Sequence, residues 1–246
     1  MSRRPVLVSV VLALLVPVIC LTFAVRQSRQ VMRERCASLE QIAQLKVDEL
    51  RYWLDERQGD AETLFASKGL VPYVRRILSS PPDAVASAYV AERFDDLRKA
   101  YPHGYSSVML VDANGRVRVA SGPSVLLNPI VQGLMKQAVA QGKVLHTDLY
   151  DTGEGDEHLD WVVPLMWQGQ GVSEPVGVVV LRIDPRRYLY PLIQMWPGSS
   201  DSAETLLVRK DGESVLFLND LRHHKGAALR LHLPLDSPDL LAAMAL

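Results

Sequence analysis

The densest run of chemically capable side chains is His146, Asp148, Tyr150, Asp151, Glu154, Asp156, Glu157, His158 and Asp160. Carboxylates and imidazoles in such number are the donor set of a cation site if the loop folds back on itself, and a solvated acidic loop if it does not. At strand period the same region divides into two faces. Leu145, Thr147 and Leu149 point one way and suit a core, while His146, Asp148 and Tyr150 point the other. The second set suits a polar, aromatic cavity on which Tyr105, Ser107, Arg118, Asp160, Trp161 and Arg182 converge from neighbouring strands. In such a cavity Arg118 or Arg182 would clamp a carboxylate in bidentate fashion, and Asp148 or Asp160 would pair with an amine. The candidate ligand-binding set is therefore Tyr105, Ser107, Arg118, Asp148, Tyr150, Asp160, Trp161 and Arg182. At each position the competing reading is an ordinary edge or surface residue.

Catalytic motifs are missing from the sequence. It holds no GxSxG elbow, HExxH, P-loop or GxGxxG placed after a strand, so no enzyme and no cofactor is expected of it. His223 and His224 are adjacent, hence on opposite sides of any strand and poor joint ligands. A formal net charge of −1 supplies no basic field for nucleic acid. Two cysteines, Cys20 and Cys36, preclude a disulfide framework in the region that follows the first twenty-five residues.

The elements that must position these residues begin with Pro5 to Val25, which carries no charge and is long enough to cross ~30 Å of hydrocarbon as a helix. A membrane anchor is expected there. Arg26, Arg29, Arg33 and Arg35 after it outnumber Arg3 and Arg4 before it, and taken alone that count favours a cytoplasmic domain. From about Gln30 to Ser67 the apolar residues Leu39, Ala43, Val47, Leu50, Leu54, Ala61, Leu64 and Phe65 recur at helical spacing. Such a stripe must be buried against a domain or a second copy of itself. Helices are expected over 71–78 and 83–100, the latter capped by Asp83, and another after the cap-and-proline pair Asn128-Pro129 as far as Gly142. Strands are expected over 105–112 and 116–121, joined by an Asn114-Gly115 turn, and over 143–150, 158–167 and 175–183. Asp184-Pro185 opens a further helix, 186–195. Clustered strands indicate an α+β fold, with a five-stranded antiparallel sheet and helices on one side. A new hairpin, 204–209 and 213–219, repeats the plan of the first: LVDANGRV at 110–117 against LVRKDGESV at 207–215.

Taken together, the anchor, the striped helix, VMLVDANGRV, VVPLMW, EPVGVVVLRIDPRRYLYPLIQMWP and AETLLVRKDGESVLFLNDLRHH resemble a bacterial double Cache receptor, the PAS-like extracytoplasmic sensor region of a sensory histidine kinase or diguanylate cyclase. The resemblance implies three parts: a cytoplasmic tip and transmembrane anchor at 1–29, a membrane-distal Cache-like module at 30–198, and the start of a membrane-proximal module at 199–246. It also implies, against the arginine count, a periplasmic domain on an inner-membrane anchor, together with a small-molecule ligand, a homodimeric stalk and an output domain outside this sequence. Amino-acid-binding members carry an Arg-x-Trp-Tyr-like cluster after the first hairpin, whereas SGPSVLLNPIVQG here has no Arg, Trp or Tyr. The rival expectations are a module that binds a periplasmic partner protein and a membrane-tethered cytoplasmic domain.

Overall fold

The computed structural model describes residues 3–101, 104–123, 127–153, 156–169, 172–197, 203–237 and 241–244, with the backbone alone for 3–14, 16, 172, 241 and 244. The chain divides into two units, Met1–Glu49 and Leu50–Leu246. Helix α1 runs from Arg3 to Ala66. In the first unit its surface carries exposed Val25, Val31, Met32, Leu39, Leu45 and Val47, and side-chain bonds from Gln30 to Glu34 and from Gln44 to Asp48 staple successive turns. Among the described residues no helix is long and apolar enough to cross a membrane. The expected span Pro5–Val25 lies largely where side chains fall outside the described residues.

The second unit is built on a six-stranded sheet. Its helices are the end of α1, α2 (Val71–Ile77), α3 (Ala84–Ala100), α4 (Pro129–Gln141) and α5 (Leu189–Gln194). Its strands are β1 (Ser107–Val111), β2 (Val117–Ser121), β3 (Leu145–His146), β4 (Tyr150–Asp151), β5 (Glu157–Gly169) and β6 (Val172–Ile183). The order is β2-β1-β6-β5-β3 with β4 also on β5, and every pairing is antiparallel. A three-stranded sheet follows, from β7 (Val208–Asp211), β8 (Ser214–Phe217) and β9 (His232–Pro234), and then the short α6 (Leu241–Met244).

Local chemistry sets the boundaries. Asp83 Oδ1 accepts from Ala86 N at 2.9 Å and starts α3; Asn128 Oδ1 accepts from Ile130 N at 2.9 Å and starts α4. Gly142 ends α4 in the left-handed region, φ 59°. Both faces of the sheet are covered. On one, Trp53 and Ala61 of α1, Val74 and Ile77 of α2 and Phe94 of α3 bury Val108, Leu110, Trp161, Val163, Val179 and Leu181. On the other, Val131, Met135 and Ala138 of α4 bury Met109, Val111, Val162, Val178 and Val180. The one-sided arrangement expected above is thus corrected: α4 has its own apolar stripe, and it needs a second face to bury it. The buried line of α1 in this unit runs through Trp53, Arg57 and Ala61, while Leu54 of the expected stripe is exposed.

The strand expected over 143–150 is interrupted. Thr147 N donates to Asp160 O at 2.9 Å and Asp160 N donates to the Thr147 hydroxyl at 3.0 Å, which draws 147–149 out of the ladder between β3 and β4. That break resets the alternation. His146 faces the α1 side, its ring 5.3 Å from that of Trp161, whereas Tyr150 packs on the α4 side. The helix expected over 186–195 is likewise split, into a 3-10 turn at Pro185–Arg187 and α5.

Candidate functional site

Strand parity places Asp160 and Arg182 side by side on the α4 face of the sheet, as direct partners across β5 and β6. Arg182 Nε donates to Asp160 Oδ1 at 3.0 Å and Nη2 donates to Oδ2 at 2.9 Å, a bidentate pair with Asp160 fully buried and Arg182 nearly so. Tyr150 completes the network by donating to Asp160 Oδ2 at 2.7 Å and accepting from Arg182 Nη2 at 3.0 Å. Burial acts to lower the Arg182 pKa, but its bonds to Asp160 outweigh that and hold it above its ordinary value. The Tyr150 phenol is pushed far up, by burial first and by the Asp160 charge second. The network is therefore a neutral unit: one fixed cation, one fixed anion and one phenol that stays protonated.

Around this unit lie buried polar atoms without hydrogen-bond partners. They are Arg182 Nη1, Ser107 Oγ and both ring nitrogens of His158. Ser107 is the partner of Arg182 across β1 and β6, so the two share a face. His158 precedes Asp160 by two residues on β5, and its ring lies 5.7 Å from that of Tyr150. His158 Nε2 comes within 3.3 Å of Asp156 Oδ2, though without hydrogen-bond geometry. Burial and then the Arg182 charge depress the His158 pKa, so the imidazole is held neutral. An unpaired buried polar group costs ~1–3 kcal/mol, and four such atoms on one patch are an arrangement that a polar solute would relieve.

Of the eight expected site residues, Ser107, Tyr150, Asp160 and Arg182 come together here, and the other four lie elsewhere. Tyr105 and Trp161 face the helices: Tyr105 donates to Asp60 at 3.0 Å, and Trp161 Nε1 donates to Gln58 at 3.0 Å with its ring edge-on to Trp53. Arg118 ties the first hairpin to α2, through Asp112 Oδ2 and the Ile77 carbonyl at 3.3 Å each. Asp148 pairs with Arg209 beside the second sheet, at an exposed position. His158 was missing from the set, although its parity with Asp160 on a long strand is a signal that the sequence carries. The acidic run does not converge on a cation: among the described residues no group of three His, Cys, Asp or Glu is placed to hold one, and Glu154 lies outside them.

No protein-family model matches the sequence, and no curated protein sequence is similar to it. Solved structures are. The ligand-binding domain of the Pseudomonas aeruginosa PAO1 amino-acid chemoreceptor PctC, in complex with GABA, superposes with a TM-score of 0.51 at 20% identity, covering 78% of this chain and 76% of that one. The sensor domain of the Vibrio cholerae histidine kinase DctB gives a TM-score of 0.51 at 15% identity, and there the match covers 71% of this chain and 62% of the other, under two thirds of its length. At such identities the likeness is one of fold: the chain folds as do the Cache-type sensor domains of bacterial chemoreceptors and histidine kinases.

Proposed function

We propose that this chain is the extracytoplasmic sensor region of a membrane signal-transduction receptor, and that it binds a small polar solute at the Asp160–Arg182–Tyr150 network. One observation carries the reading: four buried, unpartnered polar atoms, on Ser107, His158 and Arg182, gather around a charge-neutral core. Because Arg182 and Asp160 cancel each other, the site offers a solute hydrogen bonds and no net charge. In this reading residues 5–25 anchor the chain in the inner membrane, residues 30–198 form the membrane-distal module, and 199–246 begin a second one. A dimeric stalk carries the signal to an enzymatic output domain beyond this sequence. Ligand acts by binding two arrangements of sheet and helix with different affinity. The fold shared with a GABA-bound chemoreceptor domain supports this reading, as does the three-stranded sheet that repeats the first hairpin's turn chemistry.

Thermal shift of the full chain against small acids, amines, sugars and GABA tests the proposal. A true ligand at a hundredfold excess over its dissociation constant stabilises the folded state by ~2.7 kcal/mol. The expected result is a shift for one chemical class that is lost in Ser107→Ala. Absence of any shift from well-folded protein would overturn the solute reading in favour of a module that binds a partner protein.

A further inference from the structure

The α4 face of the sheet carries a cavity at the end away from the buried network. About 320 Å3 in volume, it lies between the tip of the first hairpin (Asp112 to Gly115), the flank of α4 (Gln132, Met135, Lys136, Val139) and the β6 segment from Pro175 to Val178. Val178 precedes Arg182 by four residues on β6, so about 13 Å of strand separates this cavity from the buried network. It exists because the sheet narrows here. Pairing of β1 with β6 ends at Val111 and Val178, and beyond that point β6 continues against β5 alone. Val176 falls between the paired residues Gly177 and Pro175 as a bulge, and Pro175 has no N–H to offer.

We infer that this cavity is a binding site for a small amphipathic carboxylate, with the apolar body in the trough and the acid group on Lys136. The trough's apolar lining is buried Met135 and Val178 with half-buried Val139 and Val176 and exposed Pro175, and Met135 can adjust its shape to a ligand. Its volume stands at the lower end of the ~300–1,000 Å3 of small-molecule sites. The anion at its rim is already spent: Asp112 Oδ1 accepts from Asn114 N at 2.9 Å and Arg116 N at 3.0 Å, and Oδ2 accepts from Arg118. Gln132 is likewise engaged, donating to the Leu127 carbonyl at 2.9 Å. Lys136 is the only charged residue of α4, and among the described residues it makes no ion pair. One free cation above an apolar trough selects an anion with a hydrocarbon body and rejects the matching amine.

Isothermal titration of the full chain with sodium hexanoate, beside hexylamine, tests this. Hexanoate should bind saturably and hexylamine should not. Lys136→Met, an exposed substitution that the fold will tolerate, should weaken hexanoate about tenfold, and Lys136→Arg should restore most of the affinity. Ser107→Ala should leave hexanoate binding unchanged, which separates this cavity from the buried network. The inference is overturned if folded protein shows no saturable hexanoate binding, if Lys136→Met binds as the unaltered chain does, if hexylamine binds equally well, or if Ser107→Ala abolishes binding.

Discussion

Substituting Asp160→Leu removes the fully buried carboxylate that neutralises Arg182. The guanidinium then stays charged in a site where its partner supplied three of its hydrogen bonds, at 3.0, 3.3 and 2.9 Å. Breaking a buried pair from one side costs ~3–5 kcal/mol. At ~2–4 °C per kcal/mol for a chain of this size, that is a fall of about 6–20 °C in melting temperature. Arg182→Met strands the carboxylate instead and should cost a similar amount. The double variant Asp160→Leu/Arg182→Met removes both charges while keeping approximate volume, so it should return to within ~2 kcal/mol of the unaltered chain, the residue being the Tyr150 hydroxyl left without its acceptor. Urea denaturation of the four proteins closes the cycle. If the double variant loses the sum of the two single costs, or if Asp160→Leu costs under ~1 kcal/mol, the pair is not the coupled unit argued here.

Two further outcomes follow from the same geometry. Since the His158 pKa is depressed by burial and by Arg182, the unfolded chain takes up the proton first, so this group's contribution is whole above its ordinary value near 6.5 and is lost as pH falls below it. Glu157, whose pKa burial raises, acts in the opposite direction as pH rises past the usual carboxylate range. His158→Gln should therefore flatten the fall in stability between about pH 7.5 and about pH 5.5, and an unchanged slope in urea melts would refute the assignment. Gly122 sits at φ 89°, and a Cβ there would come 2.4 Å from the Ser106 carbonyl oxygen, so Gly122→Ala should cost at least ~2 kcal/mol; a shift in urea midpoint worth less than ~0.5 kcal/mol would exclude that contact.

Much of the scaffold was legible because its signals are local. Asp83 and Asn128 capped the helices they were expected to cap, and the Asn114-Gly115 turn joined two strands with Gly115 at φ 78°. Within the candidate site, Ser107, Asp160 and Arg182 were legible as polar residues inside apolar strands. The other face assignments failed through parity, which is only as good as the continuity of a strand. The Thr147 hydroxyl, by taking Asp160 N as a donor, interrupted 143–150, and so His146 and Tyr150 ended on opposite sides. No periodicity records a side chain that substitutes for a ladder bond. Tyr105 and Trp161 read as cavity aromatics, yet their polar tips are satisfied by Asp60 and Gln58 of α1, partners 45 and 103 residues away in sequence. The strand β9 spans three residues, too few for alternation to register.

A strand covered on both faces works as a rocker. Asp160 and Trp161 are joined by one peptide, but the first belongs to the network under α4 and the second is held by Gln58 and Trp53 of α1. If β5 turns about its own axis, the carboxylate and the indole swing in opposite directions, because their bonds leave the backbone on opposite sides. A disturbance of the Asp160–Arg182 pair thus reaches α1 across the thickness of a single strand, with no hinge or loop in between. In the proposed reading the sheet is both the wall of the site and a route from it to α1.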